Sequence, residues 1–224
     1  MAEPGESTAE TDALNDDDGA PWWRSHDLAV TVILSITAIL TAWTAFQSSK
    51  WSGAMSISFS QASSARIEAS TQTGIASSRA IIDINLFTSW VEATARDDER
   101  VADFYERRFT PQLATAFDAW VATDPIENPD APNSPFAMDE YVPPGEREAE
   151  AASARADAKF DEALDNNQRG DNYTLLTVLF ASVLFFVAMS SRLGTAQARW
   201  GLLGVGSVLF VVGAVLLSTF PKLI

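Results

Sequence analysis

The sequence predicts an all-α membrane protein: three transmembrane helices, with a long extramembrane helical hairpin between the first and the second. Three observations carry this prediction. Segments 28–46, 173–191 and 200–220 hold 19, 19 and 21 residues without a charge, each close to the ~20 apolar residues that take a helix across a bilayer. The ten prolines are unevenly placed: none lies between Trp22 and Thr110, six fall from Pro125 to Pro144, and none lies between Gly145 and Phe220. Proline inside a helix removes a hydrogen bond and clashes with the preceding turn, so two proline-free arms around a proline-rich stretch read as a hairpin. Beyond the first span, Ile81, Ile82, Leu86, Phe87, Trp90 and Val91 recur at the spacing of an amphipathic helix.

In chain order, residues 1–21 are acidic, poor in large apolar residues and broken by Gly and Pro. They lack the surface to offset their ordering entropy and are expected to form a disordered tail. The run Asp16, Asp17 and Asp18 reads as a solvated stretch, because no spaced ligands follow it. Residues 22–46 are expected to be the first transmembrane helix. A cleaved signal peptide would open on basic residues and have an apolar core of about 7–15 residues. Here the opening is acidic and the core longer, which favours a retained anchor.

Residues 47–172 are the expected hairpin. Its first arm continues through Val101, Phe104, Tyr105 and Phe109 before Thr110 and Pro111 break it, and "PQLATAFDAWVAT" folds back as a short helix that buries Phe117 and Trp120. The stretch 124–145 is the Pro-rich tip, a loop by composition. The returning arm carries alanine at 149, 151, 152, 154, 156, 158 and 163, a residue that favours helix and lets a neighbouring helix approach. Then come the second span (173–191), a short basic loop (192–199), the third span (200–220) and a tail (221–224). Gly206 and Gly213, seven apart in the third span, suit close packing on a neighbour.

Composition narrows the function. Thirty acids against 15 bases give a formal charge of −15, which opposes a nucleic-acid-binding surface, since that needs clustered Lys and Arg. The absence of cysteine removes disulfides, thiolate metal sites and thiol nucleophiles. The single histidine, His26, stands beside Asp27 in a membrane flank, where an interfacial or capping role is expected rather than a catalytic one. No nucleophile elbow, zinc-binding helix or phosphate loop is present, and Asp97, Asp98 and Glu99 are adjacent acids with no acid–base geometry. The expectation is a protein without catalytic residues, cofactor or metal. No ionisable residue interrupts the three spans either, unlike proton-coupled transporters.

The candidate functional surface lies on the first span. Taking about 100° per residue, Thr31, Ser35, Ala38, Ala42, Ala45, Ser49, Ser52 and Ser56 fall on one side, with Thr37, Thr41, Thr44 and Ser48 directly beside them. Leu28, Val32, Ile36, Ile39, Trp43 and Phe46 are among those on the other. Small and hydroxylic residues mark helix packing in lipid, the first reading. The second is a water-filled path walled by copies of this helix. Small residues persist beyond the span, making up 20 of the 33 residues 47–79. On that segment Lys50, Arg66 and Arg79 are the only bases, and in a ring of subunits they would form a basic collar.

At "AFQSSKWSG", "VADFYERRFTPQLATAFDAWVATDP", "NPDAPNSPFAMDEY" and "YTLLTVLFASVLFF" the chain resembles a group of uncharacterised bacterial, actinobacterial-type, three-pass membrane proteins. The resemblance covers most of the chain after Pro21. It implies one N-terminal span, a helical insertion and two C-terminal spans, and it assigns no activity or site residue. The expected partners are the lipid bilayer and either further copies of the chain or another membrane protein, with no nucleic acid and no small-molecule substrate. Arg24, Arg192 and Arg199 fall on one side of the spans, which by the positive-inside rule places the N-terminus in the cytoplasm and the hairpin outside; Lys50, Arg169 and Lys222 oppose that orientation.

Overall fold

A computed structural model of the chain describes residues 22–223. The acidic tail expected over residues 1–21 lies outside the described residues. Five α-helices follow in order: α1 (Trp22–Thr94), α2 (Glu99–Glu106), α3 (Pro111–Val121), α4 (Glu146–Ser190) and α5 (Ala196–Thr219). A 3-10 turn, Pro135–Ala137, precedes α4, and the described residues contain no strand. The fold is all-α. Windows of 18 residues in α1, α4 and α5 reach mean hydropathies of 2.0, 2.1 and 2.3, long and apolar enough to span a bilayer. The chain is that of an integral membrane protein.

The described residues divide into two units: 22–54 with 165–223, and 55–164. In the first, the apolar core joins Val30 and Trp51 of α1 to Tyr173, Leu176, Phe180, Val183 and Val187 of α4 and to Leu203 and Leu217 of α5. The two expected glycines permit this packing. A Cβ on Gly206 would stand 2.6 Å from Val187 Cγ2, and one on Gly213 would stand 2.8 Å from Phe180 Cε1. Hydroxyl bridges join α1 to α4: Thr177 Oγ1 donates to Thr44 Oγ1 at 2.9 Å, and Ser48 Oγ meets Thr174 Oγ1 at 2.9 Å. Such contacts hold membrane helices together where apolar burial supplies little drive. Past α5 the chain is fixed by Tyr173, whose hydroxyl donates to the Pro221 carbonyl at 3.0 Å, and by Gln47, whose Oε1 accepts from the Leu223 amide at 3.1 Å.

In the second unit α1 and α4 pack through small side chains. Ala62, Ala65 and Ala76 of α1 and Ala152, Ala156 and Ala163 of α4 are buried. Buried positions on α4 alternate by four and three, through 152, 156, half-buried 159, and 163. At the far end of this pair, α3 and the 3-10 turn close over α1. Phe87 and Trp90 of α1 meet Phe117 of α3 with ring centroids 6.5 and 4.8 Å away, and Phe87 meets Trp120 and Phe136 at 5.6 Å each. Phe117 is buried as expected; Trp120 is half-buried and its Nε1 donates to the Pro132 carbonyl at 2.6 Å.

Two expectations for this arm are corrected. The helix was expected to run on through Phe109, but α1 ends at Thr94. Asp97 takes a left-handed φ of 56° and the Asp98 side chain caps α2 by accepting from the Val101 amide at 3.2 Å. Aspartate tolerates that backbone region and is a strong N-cap, so the adjacent acids Asp97 and Asp98, exposed to solvent, form a helix break. Ile81, Ile82 and Val91 are exposed, because the covered face follows Asp83, Phe87 and Trp90. In addition, α5 already begins at Ala196, inside the stretch read as the basic loop.

Gly145 starts the return into α4. Its φ is +99°, and a Cβ there would lie 2.8 Å from the Gln72 carbonyl oxygen. Only glycine meets both demands.

Candidate functional site

The most connected polar group of the second unit is Asp83, a fully buried carboxylate on α1. Thr110 Oγ1 donates to its Oδ1 at 2.5 Å, and Gln112 Nε2 and the Tyr141 hydroxyl donate to its Oδ2 at 2.9 and 3.0 Å. These donors come from the N-cap of α3, from α3 itself and from the proline-rich segment. Thr110 Oγ1 also accepts from the Leu113 amide at 3.4 Å. A buried carboxylate is tolerated when hydrogen bonds replace its water, so this clasp ties the closing segments to α1. Burial, and then the adjacent Asp83 carboxylate, push the Tyr141 hydroxyl well above its ordinary pKa; it stays a donor.

The sequence had not marked this site. A signal was present, since Asp83 is the only charged residue from Ala80 to Val91, amid Ile, Leu, Phe and Trp.

On α1 of the first unit, the residues singled out by sequence separate into two groups. Thr37 and Thr44 are buried and Thr41 and Ser48 half-buried, with Thr44 and Ser48 bonded to Thr177 and Thr174 of α4. Thr31, Ser35, Ala38, Ala42, Ala45, Ser49 and Ser52 are exposed. Several hydroxyls donate within their own helix: Thr31 to the Asp27 carbonyl, Ser35 to Thr31, Thr37 to Ile33, Thr41 to Thr37 and Ser52 to Ser48, at 2.6–3.0 Å. A hydroxyl so bonded leaves no donor unpaired in hydrocarbon. The exposed face can therefore sit against lipid or another helix without water along it.

The three bases of the expected collar have different surroundings. Arg66 Nη2 reaches Asp157 Oδ1 at 3.4 Å and its guanidinium lies over the Phe160 ring at 5.5 Å. Lys50 and Arg79 are exposed. Further along the α1–α4 pair Arg155 bonds Glu68 at 2.8 Å, and Glu162 accepts from Lys159 at 2.7 Å and from Ser58 at 3.1 Å. The Lys159 hydrogen bond, then that of Ser58, hold the Glu162 carboxyl below its usual pKa.

At the start of α1, His26 is fully buried, edge-on to Trp200 at 5.3 Å, with Nδ1 3.3 Å from both Asp27 Oδ1 and Arg199 Nη2. Arg199 also donates to Asp27 at 3.2 Å. This junction joins the beginnings of α1 and α5. Among the described residues no group of three or more His, Cys, Asp and Glu is arranged to hold a metal ion.

Comparison of the chain with protein-family models, with curated proteins and with solved structures finds no match. The class shown by the fold is an integral membrane protein with three apolar helices.

Proposed function

We propose that the protein is a non-enzymatic scaffold or accessory subunit of the membrane, which self-associates or holds a second membrane protein through its helical hairpin. The observation that carries this reading is the Asp83 clasp. It spends the buried polar chemistry of the second unit on fixing the closing segments to α1, which preorganises the outer surface for a partner. That surface presents apolar side chains, with Ile126 94 %, Val121 48 % and Phe104 44 % exposed. In the proposed topology the N-terminus is cytoplasmic and the hairpin lies outside.

Mass measurement of the purified protein in lipid discs tests the proposal. The expected result is more than one copy, or one copy with a second membrane protein retained in fixed ratio. A lone monomer overturns it.

A homo-oligomeric channel is the second reading, favoured by the exposed hydroxyl-bearing face from Thr31 to Ser52. It requires ion flux, with an anion preference if Lys50 and Arg79 ring the path. Liposomes loaded with an anion-sensitive dye and carrying the assembled protein decide it; impermeability removes the channel and leaves the scaffold.

A further inference from the structure

Within the unit 55–164, α1 carries two seams whose positions alternate by three and four. One is covered by α4: Ser58, Ala62, Ala65 and Ala76 are buried. The other occupies positions 57, 60, 64, 67, 71, 74, 78 and 81 on the opposite side of the helix and is exposed throughout. Ile57, Ile67 and Ile81 on this second seam are 61, 67 and 60 % exposed. The three isoleucines stand ten and fourteen residues apart, joined by Ser, Thr and Gly. The seam is therefore a narrow, small-residue stripe with apolar side chains along it, the kind of face on which a second helix can pack closely. A Cβ on Gly74 would meet nothing within 4 Å. Glycine in a helix interior costs about 1 kcal/mol relative to alanine, and nothing packed within the chain offsets it. All eight positions are uncharged, and the three charged residues of the same stretch, Arg66, Glu68 and Arg79, fall at other positions.

We propose that this seam is the contact between two copies of the chain, with α1 packed parallel and in register against α1 of the second copy. The inference rests on the scaffold reading and specifies its partner. Two copies related by a twofold axis that runs along this part of α1 pair the helices parallel, so each seam position meets its own counterpart. Neutrality follows from that symmetry, since a charge on the seam would meet a like charge. The seven-residue repeat keeps two helices in contact through a left-handed supercoil, and Gly74 with the serines lets their axes approach.

Size decides where the pair forms. Twenty-four steps of about 1.5 Å make the seam roughly 36 Å long, and at ~10 Å width it offers roughly 360 Å² per copy, against about 800 Å² per partner in a standard stable interface. Pairing therefore depends on both chains being held in one membrane, where effective concentration is high.

The absence of native cysteine makes single-cysteine variants a direct test. In membranes under mild oxidation, Ser60→Cys, Ser64→Cys, Thr71→Cys and Ser78→Cys are expected to form same-position disulfide dimers, which need Cα atoms within about 7 Å. Thr73→Cys, exposed on a different face of the same helix, is expected to give about tenfold less dimer for the same distance reason. The pair Ser64→Glu with Thr71→Glu should weaken association about tenfold or more, through like charges across the axis. Equal yields at Thr71 and Thr73 overturn the seam. So does the absence of dimers at every seam position when lipid-disc mass shows an assembly, a result that leaves the scaffold reading standing. A monomer by mass without cross-links overturns both.

Discussion

Asp83 binds separate segments of the chain through one side chain, and its substitution is the sharpest residue-scale test. Replacing it by alanine takes the shared acceptor from three half-buried donors, Thr110, Gln112 and Tyr141. A fully buried unpaired donor would cost about 1–3 kcal/mol, and partial access to water lowers that. Asp83→Ala is expected to lose about 3–5 kcal/mol on that reckoning, and Asp83→Asn, which turns one acceptor into a donor, about 1–3 kcal/mol. Hydrogen exchange across α3 and the segment up to Tyr141 reads both, and unchanged protection in Asp83→Ala would remove the clasp from the account. Tyr141 adds a pH dependence of known sign. Its folded pKa is raised above the ordinary 10.0, so its contribution is fully present below that value and is lost as pH rises through the folded pKa. Protection of α3 is expected to hold up to about pH 10 and fall above it, with Tyr141→Phe lacking this part of the fall. In the first unit, Gly213→Ala would set a methyl 2.8 Å from Phe180. The expected loss is about 1–3 kcal/mol of thermal stability in detergent or lipid discs, and an unchanged melting temperature would mean that α4 and α5 yield easily there.

At the scale of elements, alanine does between α1 and α4 what larger side chains do in a soluble core. Ala62, Ala156 and Ala163 are 0–2 % exposed, so the gap between the helices has no room for a longer side chain. Ala156→Leu is expected to destabilise the hairpin by about 1–3 kcal/mol, measured by denaturant unfolding, whereas Ala158→Leu on the exposed side of α4 should be within about 0.5 kcal/mol of neutral. Similar losses from both would show that the pair does not pack through its alanine face. The break between α1 and α2 was missed in the sequence for a local reason. The spacing of Val101, Phe104 and Tyr105 fits a continued helix as well as a new one, and it is the Asp97 backbone and the Asp98 cap that choose. Apolar periodicity, being similar on both sides of the break, carries no information about it.

For the whole molecule, hydropathy and proline placement sufficed for the class, and orientation is the next test. Asn133→Cys, on an exposed position of the proline-rich segment, is expected to react with a membrane-impermeant thiol reagent in intact cells. Labelling only after lysis reverses the proposed topology. What the sequence determined by itself is the set of properties that depend on local composition: three apolar helices, proline-free arms, an alanine-rich return, and glycines at 206 and 213 suited to close approach. These are readable because bilayer thickness, proline sterics and helix periodicity act over a few turns of chain. What only the tertiary structure decided is which face of each helix is covered. Thr37 and Thr44 turn inward while Thr31 and Ser35 stay exposed, Asp83 is buried while Ile81 and Ile82 are not, and one of two equally regular seams on α1 is filled by α4. The physical reason is that burial belongs to pairs of surfaces. A small or hydroxylic residue looks the same in sequence whichever neighbour it meets, and the neighbours of Asp83 lie 27, 29 and 58 residues away.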